Sequence, residues 1–283
     1  MEYCIIFFCA TLCAQVIKGD ILDKESKKSI PYVSIGIINT SQGTYAYTNG
    51  QFEMELAEYK DADSLRFSCI GYKPVTYSVI EFIELYNTGL DTIFLIKKVT
   101  ELEEVVIEGT RTKPKKMGNK TSNKHIVFGY LKDMEGGIVI KNDKELFLKS
   151  VSFRLTMSDG AAPDSAIYRF NIYSLKNNLP DNIILKQPIY FHLKSDQFEG
   201  KNVFDLSKYN INVNQNFAAT FELIKQYGGG QIFFTGWIDG NPSVFRIGAQ
   251  GKWVEARSDK KDTGDNNGMK LHQYMVIEVL YEK

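Results

Sequence analysis

From Val16 onward, apolar and polar positions of this chain alternate with a period of two. Tyr32-Val33-Ser34-Ile35-Gly36-Ile37-Ile38 carries β-branched residues at 33, 35 and 37, the signature of a half-buried strand. Gly43–Tyr47 and Gln51–Leu56 flank Asn49-Gly50, a pair that supplies the backbone angles of a tight hairpin turn. Further strands are predicted near 65–70, 74–80, 90–97 and 103–107, and the single helical candidate covers 79–87. After residue 125 the alternation returns in Val151–Leu155 and Tyr168–Tyr173. Strand-like runs follow over 183–193, 202–206, 217–224, 231–238, 243–248 and 271–281. Asn177-Asn178, Tyr227 to Gly230, Asp239 to Pro242 and Gly264 to Gly268 punctuate them as turns. Many short strands at this spacing predict an all-β protein of two sandwiches, the second built like a jelly roll.

The first residues read differently. Ile5 to Ala14 is one mostly apolar run, too short to span a bilayer as a helix. It suits the core of a secretory signal peptide over 1–14, with cleavage after Ala14, although Met1-Glu2-Tyr3 lacks the usual cation. Its alternative is a buried N-terminal strand. Cleavage would remove Cys4, Cys9 and Cys13, leaving Cys69 alone and no internal disulfide. Cys69 shares the alternation of Leu65 and Phe67 and is expected as a small core residue. No membrane-spanning segment is expected in the mature chain.

Composition narrows the function. Lys+Arg and Asp+Glu are 34 each, so no basic footprint marks the chain as a nucleic-acid binder. Charge is uneven only over 109–124, which holds Arg111, Lys113, Lys115, Lys116, Lys120 and Lys124, no acidic residue, and Pro114 and Gly118 as breakers. That stretch is expected as a basic linker between a domain at 16–108 and another at 125–283. Docking on an anionic lipid or glycan is its sharper alternative.

Several runs of the first segment, in order, resemble the carboxypeptidase-regulatory-like domain, a small prealbumin-like sandwich. They are Ile17–Asp23, Ser29–Ile35, Thr48–Phe52, Ile70–Lys73 and Leu102–Ile107. The resemblance implies a non-catalytic accessory or presenting domain, of a kind common near the start of secreted and outer-membrane proteins of Gram-negative bacteria. It also occurs beside zinc carboxypeptidases and at the front of outer-membrane receptors. The residues beyond 109 are too few for a receptor barrel, and no His-x-x-Glu ligand pair follows His125, His192 or His272. The turn before Phe52 is shorter than is usual in that family and lacks its acidic residues. Phe170–Ser174, Phe204–Tyr209 and Gly251–Trp253 are faintly similar to jelly-roll modules appended to secreted bacterial proteins.

Candidate chemistry is sparse. No nucleophile elbow, Walker loop or dinucleotide fingerprint appears, so no enzyme is expected. Asp159 and Asp164 share one loop with Pro163 and read as a solvated turn rather than the paired carboxylates of glycoside hydrolysis. Asp259, Asp262, Asp265 and Asn267 gather oxygen donors suited to calcium, but lack a closing Glu and are diluted by Lys260 and Lys261; a polar loop is the alternative, and no other cofactor is expected. The aromatics carry the functional reading. Trp237 and Trp253 lie beside glycine turns, where exposed rings could stack on sugars while Asp239, Asn241 and Arg246 fix orientation. Tyr227, beside Gly228 to Gly230, is a further candidate. The competing place for both tryptophans is the sandwich core.

The expectation is therefore an exported protein of the periplasm, outer-membrane surface or exterior. Its second domain would bind a glycan or another envelope component. The alternative is an assembly protein that docks on an outer-membrane complex through a strand edge.

Overall fold

The computed structural model describes residues 15–57, 59–98, 112–119, 126–129, 134–158, 160, 162–237, 241–256 and 272–282. The expected signal segment, the strand at 103–107, Asp159, Asp239 and the 259–267 loop lie outside the described residues. Among those described, no helix is long and apolar enough to cross a membrane.

The first unit contains β1 (Gln15–Asp23), β2 (Ser34–Ile37), β3 (Gly43–Tyr45), β4 (Gln51–Leu56), β5 (Ser64–Ser68), β6 (Tyr72–Lys73), β7 (Val75–Ser78), α1 (Val79–Asn87) and β8 (Thr92–Lys97). They form two four-stranded sheets, ordered β4-β1-β8-β6 and β3-β2-β5-β7, with β1 and β8 parallel. Alternation works as predicted in β4, where Phe52, Met54 and Leu56 are buried and their neighbours exposed. These side chains meet Ile17, Ile35, Leu65 and Phe67 between the sheets. The predicted helix forms because the Ser78 hydroxyl accepts the Glu81 N–H at 3.3 Å and Val79 and Phe82 face the core.

Two local expectations are corrected. The Asn49-Gly50 turn exists, closed by the Gly50 N–H donating to the Tyr47 carbonyl, but it does not make a hairpin. Its flanking strands β3 and β4 pair with β2 and β1, in different sheets, so the turn is a corner of the sandwich. β2 is buried on both faces rather than one.

The second unit contains β9 (Thr112–Asn119), β10 (Ile126–Gly129), β11 (Met134–Ile140), β12 (Leu146–Met157), β13 (Ser165–Lys176), β14 (Leu179–Ile183), β15 (Ile189–Lys194), β16 (Gly200–Asp205), β17 (Asn212–Val213), β18 (Phe217–Tyr227), β19 (Ile232–Trp237), β20 (Ser243–Ile247), β21 (Val254–Glu255), β22 (His272–Gln273) and β23 (Met275–Glu282). An eight-stranded sheet, with the path β10-β19-β12-β23-β9, packs on a seven-stranded sheet, with the path β14-β13-β18-β11-β20-β21. Phe153, Phe170, Phe221 and Phe234 fill the space between them, with the Phe153 and Phe221 ring centroids 4.4 Å apart. The protein is thus all-β, in two sandwiches.

The expected basic linker is corrected within its middle. Thr112–Asn119 is strand β9, paired antiparallel with β23 from Thr112↔Glu282 to Asn119↔Met275. Pro114 and the exposed Lys113, Lys115 and Lys116 sit at the end of the sheet's strand path, where proline and lysine are tolerated.

The sandwiches are fastened together. Ile70 of the first unit packs into the core of the second. Tyr32 and Tyr45 join Ile167, Ile224 and Ala249 in a cluster of their own. The Asn39 N–H donates to the Gln250 carbonyl at 2.9 Å, and Gln250 Nε2 donates to Ser68 Oγ at 2.8 Å. Close backbone approach needs glycine here: a Cβ at Gly43 would lie 3.0 Å from the Ala249 nitrogen.

Candidate ligand-binding cleft

Successive residues of β13 point to opposite faces, so Tyr168, Phe170 and Ile172 enter the core while Arg169, Asn171 and Tyr173 face outward. On that outer face, register aligns four charges across four neighbouring strands. Arg169 opposes Glu222 of β18, Glu222 opposes Glu135 of β11, and Glu135 opposes Arg246 of β20. Polarity alternation along the strand predicts that this row meets solvent. Instead, the relative exposures of Arg169, Glu222 and Glu135 are 4%, 0% and 1%. Tyr32, Ser34 and Tyr45 of the first sandwich cover Arg169 and Glu222, and Asn171, Tyr173, Thr220 and Arg246 surround Glu135.

The bonding explains how buried charge is tolerated. Arg169 donates Nε and Nη2 to Glu222 Oε2 at 2.8 and 2.6 Å. Its Nη1 donates to the Tyr32 carbonyl at 3.0 Å, and Nη2 also to Ser34 Oγ at 2.6 Å, both in the first sandwich. The Tyr45 hydroxyl donates to Glu222 Oε1 at 2.8 Å. Arg246 donates Nε and Nη2 to Glu135 Oε2 at 2.9 and 2.6 Å. Asn171, Thr220 and Tyr173 donate to the Glu135 carboxylate as well.

The two carboxylates respond in opposite directions. Burial pushes Glu135 above its ordinary 4.5; Arg246 pulls it back and the adjacent Glu222 pushes it further up. Burial acts upward on Glu222 too, but Arg169, Arg246 and the bonds from Arg169 and Tyr45 outweigh it and hold Glu222 below 4.5. Divergent carboxylates are the mark of an acid–base pair when a substrate reaches them. Here both are enclosed and saturated by their partners, which makes them a structural element.

Beside this row the sandwiches leave a cleft of about 420 Å³. Arg66, Tyr72 and Lys98 line it from the first unit, and Tyr173, Lys186 and Arg246 from the second, with Asp181, Asn182 and Gln250 among the remaining polar groups. The half-buried Trp253 lies behind this wall, edge-on to Tyr173 at 5.4 Å and 4.9 Å from the Arg246 guanidinium.

The predicted site residues separate. Arg246 and Trp253 come together, but Arg246 is committed to Glu135. Asn241 uses its backbone N–H and carbonyl to bind Asn119, which ties the turn to β9. Tyr227 stands at the far end of β18 beside Lys225, five residues beyond Glu222. Trp237 ends β19 of the other sheet, opposite His272, and its ring lies outside the described residues. The calcium candidates also lie outside them. Among the described residues no three His, Cys, Asp or Glu side chains gather as metal ligands. Cys69 packs against the first core, half-buried, and also lines the cleft.

Sequence reasoning missed Arg169, Glu222 and Glu135. A signal existed: Glu222 is the lone charge in Phe217–Ile224, and Glu135 precedes Gly136-Gly137-Ile138-Val139-Ile140. A single charge in a run apolar on both faces points to a buried, paired group rather than a solvated one.

Comparison with known proteins bears on the first sandwich. Residues 17–107 match the CarboxypepD_reg-like domain family, so this unit is a carboxypeptidase-regulatory-like domain. None of the curated proteins matches the sequence. Among solved structures, the chain is similar to those of infectious bursal disease virus, Gt strain and Gx strain. Each is 10% identical and covers 95% of this chain and 59% of the viral one, with TM-scores of 0.26 and 0.24. The chain therefore spans 59% of the viral chains' length.

Proposed function

We propose that this protein is a non-catalytic, exported accessory protein of the cell envelope whose two sandwiches act as one body and hold an envelope glycan in the cleft between them. The observation that carries the reading is the composition of that cleft: the half-buried ring of Tyr72 on one wall, with Arg66, Asn182, Gln250 and Asp181 around it. A flat ring beside fixed polar groups suits the apolar face and the hydroxyls of a sugar. The regulatory-like domain contributes one wall, which gives the presenting role implied by its family a concrete form. Edge-strand docking on an outer-membrane complex is less well supported, because the β9 edge carries Lys113, Pro114, Lys115 and Lys116, which discourage pairing.

The test is titration of the purified protein with soluble envelope polysaccharides, with and without calcium, following tryptophan fluorescence. A saturable change is expected, weakened by Tyr72→Ala and reshaped by Trp253→Ala, whose ring abuts Tyr173 and Arg246. Silence across the panel, in a protein shown by circular dichroism to be folded, would overturn it. A calcium requirement would point to the 259–267 loop.

A further inference from the structure

The guanidiniums at the cleft are not equivalent. Arg169 and Arg246 are neutralised by Glu222 and Glu135. Arg66, on β5 between Leu65 and Phe67, alternates outward from the first core and faces the second sandwich. Among the described residues it forms no ion pair, and its Nε is buried without a hydrogen-bond acceptor. A buried donor of a charged group with no acceptor is costly, and such a position points to a missing partner. Lys98 and Lys186, also on the lining, form no ion pair among the described residues either, while Asp181 is the one carboxylate on the cleft wall.

We infer that the saccharide held in this cleft is a sugar acid whose carboxylate sits against Arg66, with Lys98 and Lys186 at the rim. This rests on the glycan reading above and adds its charge. The chemistry fits in two ways. A carboxylate presents two coplanar oxygens to the guanidinium fork and supplies the acceptor that Nε lacks. It also restores charge balance: burial, then the nearby Arg246, lowers the affinity of Arg66 for its proton, as expected of a cation short of counter-charge.

Isothermal titration with oligogalacturonate, and with the same oligomer fully methyl-esterified, isolates that charge. The acid is expected to bind about tenfold or more tightly than the ester, with affinity falling as salt rises. Arg66→Met should erase the preference, and Arg66→Lys should keep only part of it. Because Arg66 is an unpaired cation, Arg66→Met should melt no lower than the parent protein. Equal binding of acid and ester, or an unchanged preference in Arg66→Met, overturns the inference and leaves the glycan reading standing. Tighter binding of mannose-6-phosphate than of galacturonate overturns the carboxylate assignment. Failure of every acidic and neutral saccharide overturns both readings.

Discussion

On the inner face of the seven-stranded sheet Tyr168, Phe170 and Ile172 alternate with Arg169, Asn171 and Tyr173 on the outer one, and all six are buried. The inner face is filled by many apolar contacts, each small and largely independent of the others. The outer face is filled by a few charges that need one another: each guanidinium is harmless only while its carboxylate is present. One face therefore holds its sandwich together by additive packing, and the other holds two sandwiches together by a network. Damage to the first should be graded and confined to one unit. Damage to the second should be steep and felt by both units at once.

The strongest way to break this comparison is Glu222→Gln. It keeps the shape but leaves Arg169 buried beside a neutral amide, at an expected cost of about 3–5 kcal/mol in chemical denaturation. Both units should loosen, seen as new protease cleavage across 32–45 as well as within the second sandwich. The double replacement Arg169→Met with Glu222→Leu removes both charges and is expected to cost less than the single change. A double mutant worse than Glu222→Gln would show that the bonds of Arg169 to Tyr32 and Ser34 dominate the row, rather than its charge pairing.

The two carboxylates sharpen the comparison within the outer face. Glu222 has a lowered folded pKa, so it adds stability above its ordinary 4.5 and loses it as pH falls through the folded value. Glu135 has a raised one, so its contribution is present below 4.5 and is lost as pH rises through the folded value. The penalty for Glu222→Gln should therefore grow from acid to neutral pH, while that for Glu135→Gln should shrink. At neutral pH Glu135→Gln should be the milder change. Urea unfolding of both variants between acid and neutral pH would check the crossing, and parallel curves would defeat the assignment.

Period-two alternation made the sandwiches legible, since Phe52, Met54 and Leu56 on β4 or Tyr168, Phe170 and Ile172 on β13 need nothing beyond their own sequence to declare an apolar face. What alternation cannot say is what lies over the other face. Arg169 looks solvent-facing by pattern and is covered because the first sandwich lands on it through Tyr32 and Ser34, a junction that joins residues as distant as Tyr45 and Glu222. The same blindness to partners turned Thr112–Asn119 into a linker: its lysines and proline are those of an edge strand, but the strand it joins is β23, at the other end of the chain. Arg246, a sugar-contact candidate by sequence, lines the cleft but is paired with Glu135, whereas Arg66, unremarkable in sequence, is the guanidinium on the lining with an unmet donor.

The finest form of the comparison removes one heavy atom from each face. Ile172→Val deletes a methyl group from the inner packing, where neighbours can close in, and should cost about 0.5–1.5 kcal/mol. Ser34→Ala deletes the oxygen that accepts Arg169 Nη2 at 2.6 Å. The buried guanidinium then lacks one acceptor that no apolar neighbour can replace, which should cost about 1–3 kcal/mol. The two variants also differ in what they loosen: Ile172→Val acts within the second sandwich, whereas Ser34→Ala acts across the junction. Hydrogen exchange should then rise at Ser34–Ile37 of the first sandwich only in Ser34→Ala. If the serine change proves the cheaper of the two, with no added exchange in β2, then water must be able to enter the junction and satisfy Arg169, and the outer face is a wet contact rather than a sealed network.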